Sequence, residues 1–298
     1  MNILAVILII VLILFVALSC SLCYYATHVK RQSFEEALAW QKDHYDISFY
    51  ETLEKRDYKI TSYDGYVIPV QFLKNPNPTD KYMLITHGHT DNHYGMLKYT
   101  KMYLDYGFNV ILYDLRAHGE NVKTFCTFSI REARDLDVII KDCRARYHDM
   151  RIFGIHGESL GAATTIAVLK YKPEIDFAVS DCGFAEIIPV MQGGLKGMHL
   201  PAWMVYPASL CSRILYGYSF RDMRPIDSLK DNKIPILFIH GANDTYILPS
   251  HAQKMHEASG GYSEVHLIDG AEHAASILTD PDEYRTIVKE FLERIGVN

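Results

Sequence analysis

The chain has 298 residues, of which 49% are hydrophobic and 22% are charged, and its formal net charge is −6. This length allows one sizeable domain with a hydrophobic core and leaves room for a single catalytic unit. The negative net charge, together with the lack of a basic stripe interleaved with aromatic residues, argues against a nucleic-acid-binding surface.

The N-terminal segment is the most apolar part of the chain. Residues 3–23 carry no charged side chain, and as a helix they would extend about 32 Å, close to the roughly 30 Å hydrocarbon core of a bilayer. The segment lacks the positive start and short apolar stretch of a cleavable signal peptide, and the Tyr24-Tyr25 pair that follows is typical of a membrane interface. We therefore predict that residues 1–25 form a single, retained transmembrane anchor.

Charges beside this anchor indicate its orientation. Lys30, Arg31 and Lys42 follow it, and only the terminal amine precedes it, so the charge bias favours a cytoplasmic location for the rest of the chain. The six cysteines show no dense spacing of the kind found in disulfide frameworks, and we expect free thiols.

Two local patterns describe the region after the anchor. Ser33 and Glu36 have the spacing of a capping box, which predicts a short helix reaching about Tyr45 within a stalk or linker of residues 26–56. Asp64-Gly65 lies between two strand-like runs and predicts a β-hairpin at the start of a domain comprising residues 57–298.

Within that domain, apolar strand-like runs alternate with helix-like segments. We predict helices near residues 96–106, 130–147, 160–171, 250–259 and 282–295. Such alternation is typical of an α/β fold with a mostly parallel sheet and helices on both faces.

The alternation stops between residues 185 and 230, where methionine and aromatic residues are frequent. This segment either packs as two ordinary surface helices or forms a small helical lid over a ligand pocket. We favour the lid, because methionines suit irregular apolar ligands and the insertion lies between two predicted strands.

The motif Gly-Glu-Ser-Leu-Gly at residues 157–161 lies between a strand-like run and a helix-like run. A strand, a sharp turn and a helix form the setting of a nucleophile elbow, in which a strained turn exposes a serine hydroxyl above the sheet. Glycines two residues before and after the serine remove side-chain clashes. Ser159 is therefore the candidate nucleophile.

A serine hydroxyl is essentially protonated at neutral pH, so a base and a group that orients the base are also needed. Asp244 and His273 each follow a predicted strand, at the edge of an open α/β sheet where ligands bind. Asp181 also follows a strand and is an alternative acid. We favour Asp244, because the Gly-Ala-Asn-Asp turn at residues 241–244 matches an acid-bearing loop more closely.

Five motifs in this order resemble those of the α/β-hydrolase superfamily, and more narrowly its membrane-anchored, small-lidded serine hydrolases. They are Thr-His-Gly-His at 86–89, Asp-Leu-Arg-Ala-His-Gly at 114–119, the elbow, His-Gly-Ala-Asn-Asp at 240–244 and Gly-Ala-Glu-His at 270–273. The resemblance covers roughly residue 57 to the C-terminus. It implies the triad Ser159, Asp244 and His273, an oxyanion hole made by the backbone N–H groups of His89 and Leu160, and no metal or organic cofactor. The 114–119 stretch is expected to be structural.

Several side chains have competing interpretations. Residues 87–93 have the pattern His-x-His-x-Asp-x-His, which misses the zinc-binding motif of metallo-β-lactamase-like hydrolases by one residue. We expect polar loop residues there. We expect Glu158 to face solvent or a neighbouring loop, Cys182 to be buried and inert, and the histidines at 118, 156, 240 and 266 to be loop or core residues.

These patterns predict a membrane-anchored serine hydrolase that cleaves carboxylic esters or thioesters of a small-molecule or lipid-like acyl substrate. A peptidase or amidase with the same triad is the alternative, and a non-catalytic binding protein is a third class. No protein partner is indicated by the sequence.

Overall fold

The computed structural model describes residues 2–297 and contains one eight-stranded sheet. The strands follow the spatial order β1-β2-β4-β3-β5-β6-β7-β8. Their bounds are β1 Lys55–Thr61, β2 Val67–Leu73, β3 Lys81–Thr86, β4 Asn109–Tyr113, β5 Ile152–Glu158, β6 Phe177–Asp181, β7 Ile236–Gly241 and β8 Ser263–Ile268.

Each helix predicted from the sequence has a counterpart in the described chain. The helices are α1 Ile3–Thr27, α2 Phe34–His44, α3 Ser48–Thr52, α4 Leu97–Asp105, α5 Ile130–Arg146, α6 Leu160–Ala167, α7 Ile187–Gly197, α8 Val205–Tyr216, α9 Ser250–Ala258, α10 Ser276–Thr279 and α11 Pro281–Arg294. Helices α3 and α10 were not predicted.

The sheet is mostly parallel, as predicted. Strands β3 to β8 pair in parallel, and β2 pairs antiparallel with both β1 and β4. The β1–β2 hairpin closes where Thr61 faces Val67, with Gly65 at a φ of +84°. A positive φ is readily adopted by glycine, which explains the Asp-Gly signal at this turn.

Both faces of the sheet are buried under helices. Along β3, Leu84 contributes to the hydrophobic cluster on one face, and its neighbours Met83 and Ile85 contribute to the cluster on the other. Because successive side chains of a strand point to opposite faces, this division means that β3 is covered on both sides. The predicted α/β-hydrolase fold class is confirmed.

Residues 185–230 contain α7, α8 and three short 3₁₀ turns. Helix α8 packs along the second half of α1. The rings of Phe15 and Trp203 lie 6.0 Å apart, and the Sγ atoms of Cys20 and Cys211 lie 3.1 Å apart. The apolar N-terminal helix therefore contacts the predicted lid directly.

Helix α2 has the predicted capping box, since the Ser33 hydroxyl accepts from the Glu36 N–H and the Glu36 carboxylate accepts from the Ser33 N–H. The helix is also partly buried against the domain. Ala37 and Gln41 are each only 2% exposed, and the Phe34 ring lies 4.9 Å from that of His93. Helix α2 thus packs on the domain beside the end of β3.

The 114–119 stretch contains a buried ion pair. The Arg116 guanidinium is fully buried and donates two hydrogen bonds of 2.5 Å to the Asp135 carboxylate and two, of 3.1 and 3.3 Å, to Asp64. These bonds join the stretch to α5 and to the β1–β2 turn. Removing one partner would leave an uncompensated buried charge, which typically costs about 3–5 kcal/mol.

Candidate functional site

The turn between β5 and α6 holds Ser159 in an unusual backbone conformation. Its φ is 53° and its ψ is −111°, although the residue is not glycine. The Ser159 N–H donates to the carbonyl oxygen of Asp181 at 2.8 Å, and the Ser159 carbonyl accepts from Ala163 at 3.0 Å. Strain of this kind costs about 1–3 kcal/mol and persists only where surrounding structure enforces it.

The flanking glycines are required by close backbone contacts. A Cβ atom at Gly157 would lie 2.2 Å from the carbonyl carbon of Gly161, and one at Gly161 would lie 2.1 Å from the carbonyl oxygen of Thr86. Both distances are far below van der Waals contact. The first turn of α6 can therefore approach β3 and β5 only because both positions lack a side chain.

The structure brings Ser159, His273 and Asp244 together. The Ser159 Oγ lies 2.9 Å from Nε2 of His273, and Nδ1 of the same imidazole lies 2.7 Å from Oδ2 of Asp244. Asp181, the alternative acid, instead accepts hydrogen bonds from Tyr99 at 2.9 Å and from Ser276 at 3.4 Å.

Asp244 is surrounded by donors. Its Oδ1 accepts from the N–H groups of Tyr246 and Ile247, both at 2.9 Å, and its Oδ2 lies 3.2 Å from His240 Nε2. Burial by itself raises the pKa of Asp244, but the hydrogen bonds from His240 and His273 outweigh it and lower the pKa well below its usual value. Asp244 is therefore ionised at neutral pH.

His240 was expected to be a loop or core histidine, and it is a core residue with a contact to the candidate acid. Its Nε2 also lies 2.7 Å from the carbonyl oxygen of Ile247. Because neither a carbonyl nor a carboxylate can donate, Nε2 must carry the proton. His240 lies only four residues before Asp244 in the sequence. This proximity alone did not distinguish His240 from the other histidines that were expected to be core residues.

The turn after β3 lies beside the serine. A Cβ at Gly88 would be 3.5 Å from the Cβ of Ser159. The buried His87 imidazole accepts from the Leu115 N–H at 2.9 Å and contacts the Gly88 carbonyl oxygen through Nδ1 at 2.8 Å. Burial lowers the pKa of His87, which keeps the ring neutral and able to make both bonds.

The two predicted oxyanion donors flank this point. Leu160 is the first residue of α6, so its N–H has no acceptor within the helix. His89 follows the Gly88 turn, and its imidazole stacks on Phe128 with ring centres 5.5 Å apart. Burial lowers the pKa of His89 to about 4. The roles of both N–H groups stay predictions.

Glu158 was expected to face solvent or a neighbouring loop, and this was wrong. It is only 4% exposed, forms an ion pair with Lys98 on α4, and accepts a 2.7 Å hydrogen bond from Tyr99. The local sequence could not reveal this pairing, because Glu158 ends β5 and Lys98 lies on α4. Tyr99 also donates to Asp181 and so links the two carboxylates.

A second unusual carboxyl group is Asp91, on the turn that follows Gly88. Burial, reinforced by the charge of Glu158, raises the pKa of Asp91 to about 7. Its Oδ2 lies so close to Gly95 that any side chain there would displace it. Asp181 behaves similarly, since burial and the charge of Glu158 raise its pKa to about 6.

Two cavities lie near this site, and only the second is lined by Ser159 and His273. The first, which we call the apolar cavity, has a volume of about 660 Å³ and is bounded by the end of α1, the lid helices and the segment before α5; its walls include Leu22, Tyr25, Phe128, Val190, Met191 and Phe220. The second, which we call the polar cavity, has a volume of about 340 Å³ and is lined by residues that include Gln41, Asp91, Lys98, Glu158, Ser159 and His273. His89 lines both.

The side chains of the zinc-like pattern at residues 87–93 make separate contacts in the fold. His93 donates its backbone N–H to Asp114 at 2.7 Å and contacts the same carboxylate through Nδ1 at 3.0 Å, whereas His89 stacks on Phe128. Within residues 2–297, no group of three or more His, Cys, Asp or Glu side chains has a metal-binding arrangement.

Known proteins resemble this chain along most of its length. The sequence profile of the alpha/beta hydrolase family matches residues 83–287. The uncharacterized protein YqkD of Bacillus subtilis is 30% identical over 274 residues, which cover 90% of each chain. Among solved structures, the Pyrococcus furiosus esterase Pf2001 is 26% identical with a TM-score of 0.65, covering 85% of this chain and 95% of the esterase.

The Pyrococcus horikoshii acylaminoacyl peptidase is also similar in fold, with a TM-score of 0.62 at 15% identity. The match covers 84% of this chain and 43% of the peptidase.

The raised pKa of Asp91 predicts a pH-dependent effect on stability. The folded state binds this proton more tightly than the unfolded chain, so the contribution of Asp91 to stability falls as the pH rises from about 4 to about 7. Asp91→Asn, which cannot ionise, should therefore raise the melting temperature relative to the wild type at pH 8 and not at pH 4.

Thermal unfolding of the detergent-solubilised protein at both pH values measures this difference. The exposed Asp231→Asn provides a matched control and should show no such pH-dependent gain. A lower melting temperature for Asp91→Asn at pH 8 than for the wild type would contradict the prediction and indicate that Lys98 stabilises the Asp91 carboxylate.

Proposed function

This chain belongs to the alpha/beta hydrolase family, and from that membership we propose that it is a serine hydrolase of carboxylic esters or thioesters with an apolar acyl group. One observation carries the proposal. Ser159, His273 and Asp244 form a continuous hydrogen-bonded chain, with distances of 2.9 and 2.7 Å, at a strained turn that opens onto a cavity. A nucleophile, a base and a group that orients the base have this arrangement in serine hydrolases.

In the proposed reaction, Ser159 Oγ attacks the acyl carbonyl carbon and its proton passes to His273 Nε2. The negative charge that develops on the carbonyl oxygen is held by the N–H groups of Leu160 and His89. The bond to the leaving group then breaks as His273 returns the proton to it, which produces an acyl-enzyme. A water molecule attacks this ester by the same steps, regenerates Ser159 and releases the carboxylic acid.

Asp244 has two functions in this scheme. It accepts from Nδ1–H of His273, which leaves Nε2 free to take the serine proton, and it stabilises the imidazolium that forms. Its low pKa supports both, because the carboxylate stays charged throughout.

The apolar cavity supports the choice of acyl group. Its walls are mostly aliphatic and aromatic, although Lys30, Arg31 and Lys123 are also among the lining residues, and a volume of about 660 Å³ is within the range of small-molecule pockets. Met191 and Met198 lie among the lining residues, and flexible methionine side chains adapt to irregular apolar ligands. The esterase Pf2001 is similar over most of both chains, which favours ester over peptide substrates.

We also propose that α1 anchors the protein in a membrane, with the catalytic domain on the cytoplasmic side. The helix has 25 residues, and its most apolar 18-residue stretch has a mean hydropathy of 3.5. The end of α1 and the residues after it are joined to the domain by two hydrogen bonds. The backbone N–H of Cys126 donates to the Thr27 carbonyl at 2.7 Å, and the Arg31 guanidinium donates to the Asn121 carbonyl at 2.5 Å. A cleaved signal peptide would remove α1 and its contacts with the lid. The positive charges after α1 favour the cytoplasmic side.

Loss of the nucleophile should abolish turnover. If the three residues act as a unit, Ser159→Ala lowers kcat by about 10⁶-fold. The measurement is hydrolysis of an activated ester, together with labelling by a fluorophosphonate probe, which reacts only with an activated serine. The exposed Ser250→Ala should retain both properties. Residual activity in Ser159→Ala above about 1% would remove Ser159 from this role.

The two candidate acids should differ in their effect. An amide at Asp244 favours the wrong tautomer of His273, so Asp244→Asn should lower kcat/KM by about 10⁴-fold with little change in melting temperature. Asp181→Asn should lower it by less than about 10-fold, because Asp181 contacts Tyr99 and Ser276 instead. A well-folded, inactive Asp181→Asn beside an active Asp244→Asn would assign the acid to β6.

Membrane anchoring should depend on the apolar character of α1. The wild-type protein should stay with membranes during alkaline carbonate extraction. The double variant Ile10→Arg/Leu14→Arg should be recovered outside the membrane fraction, since each central arginine costs roughly 2.5–3.5 kcal/mol of insertion free energy. The matched variant Ile10→Ala/Leu14→Ala should behave like the wild type. A mature protein whose N-terminal sequence begins after residue 20 would show cleavage instead.

A further inference from the structure

The polar cavity is lined by Ser159, and none of its lining residues in the described chain belongs to the predicted lid, residues 185–230. Its roof is α2, which contributes Ala37, Trp40 and Gln41, and its floor includes the Lys98–Glu158 ion pair. Its volume of about 340 Å³ is enough for a small organic group. The apolar cavity shares only His89 with it among the lining residues, so the two spaces can hold two different parts of one substrate.

The position of His273 indicates which cavity binds the leaving group and which binds the acyl chain. The leaving group must accept a proton from His273 Nε2 when its bond to the acyl carbon breaks. His273 and the two residues after it, Ala274 and Ala275, line the polar cavity and are not among the residues that line the apolar cavity. Ser159 also lines only the polar cavity, so the acyl carbon lies there too; with the leaving group beside His273, the acyl chain extends past His89, which lines both cavities, into the apolar cavity.

The walls of the polar cavity offer hydrogen-bonding groups that the protein does not satisfy. Gln41 is only 2% exposed, and its side-chain Oε1 has no hydrogen-bond partner among residues 2–297. The His89 Nδ1 is also buried, with no partner in the same part of the chain. A buried polar atom without a partner costs about 1–3 kcal/mol, so such atoms in a cavity wall indicate that a ligand supplies the missing bonds.

The charges around the cavity restrict the chemistry of this ligand. Lys98 places an ammonium group in the wall, which opposes a cationic leaving group, and its charge is balanced by Glu158. Asp91 and Glu158 place carboxyl groups there, which oppose an anionic one. A neutral group that both donates and accepts hydrogen bonds fits these walls, and an alcohol with additional hydroxyl groups has this property.

We propose that the polar cavity is a leaving-group subsite for a small neutral polyol, with Gln41 as a specificity-determining residue. This proposal rests on the proposed serine hydrolase function. The natural substrates are then apolar acyl esters of polyols, and the reaction releases the free polyol after it takes the proton from His273. Helix α2 selects the alcohol, and the lid side selects the acyl chain.

The test compares three esters that share one acyl chain, octanoate, and differ in the alcohol: glycerol, methanol and choline. For the wild type, kcat/KM should be highest for the glycerol ester. In Gln41→Met, the ratio of kcat/KM for the glycerol ester to that for the methyl ester should fall about 5-fold, the loss expected for one hydrogen bond. The same substitution at the exposed Gln253, on α9, should leave the ratio unchanged.

A second variant tests the subsite by reducing the volume of the polar cavity. Ala37→Leu places a larger side chain in the roof and should lower the same ratio without removing a polar group. Equal rates of fluorophosphonate labelling in the wild type and both variants show that the fold and the nucleophile are intact.

Three results would overturn the proposal. The first is an unchanged ratio in labelled Gln41→Met and Ala37→Leu. The second is a preference of the wild type for the choline or methyl ester. The third, no turnover of any ester together with no labelling of Ser159, would reject the proposed function itself and the subsite with it.

Discussion

The close approach of α6 to the ends of β3 and β5 is the constraint on which the site depends. It requires bare backbone at Gly157 and Gly161, and it holds Ser159 at a positive φ. That conformation is unfavourable for a serine by about 1–3 kcal/mol, and the buried sheet on both sides maintains it. Because the turn projects from the carboxyl ends of parallel strands, loops after other strands can reach the hydroxyl. Those loops bring His273 within 2.9 Å of it.

The same edge of the sheet holds carboxyl groups whose pKa values are shifted in opposite directions. Asp244 receives several hydrogen bonds, and these outweigh burial and lower its pKa. Asp91 and Asp181 are buried near the charge of Glu158, and both pKa values are raised. The environment of each group, and not its residue type, therefore determines which carboxylate can orient an imidazolium and which can exist as a neutral acid near pH 7.

The N-terminal region shapes the space around the nucleophile, although it precedes residues 83–287, where the family profile matches. The end of α1 contributes Leu22 and Tyr25 to the apolar cavity, and α2 contributes Ala37 and Gln41 to the polar cavity. The hydrogen-bonded arrangement of Ser159, His273 and Asp244 is thus combined with cavity walls from a separate segment. In this chain, the segment proposed to anchor the protein in a membrane also forms part of a cavity wall.

Local patterns were sufficient for the elements of the fold. The elbow motif, the Asp-Gly hairpin and the capping box at Ser33 each depend on residues close in the chain, so the sequence by itself determined the α/β architecture and the candidates Ser159 and His273. Only the tertiary structure decided which acid lies beside His273, that Glu158 pairs with Lys98, and that α2 roofs a cavity. These contacts join residues on separate elements, and side-chain partners of that kind are determined by packing, which no local spacing encodes.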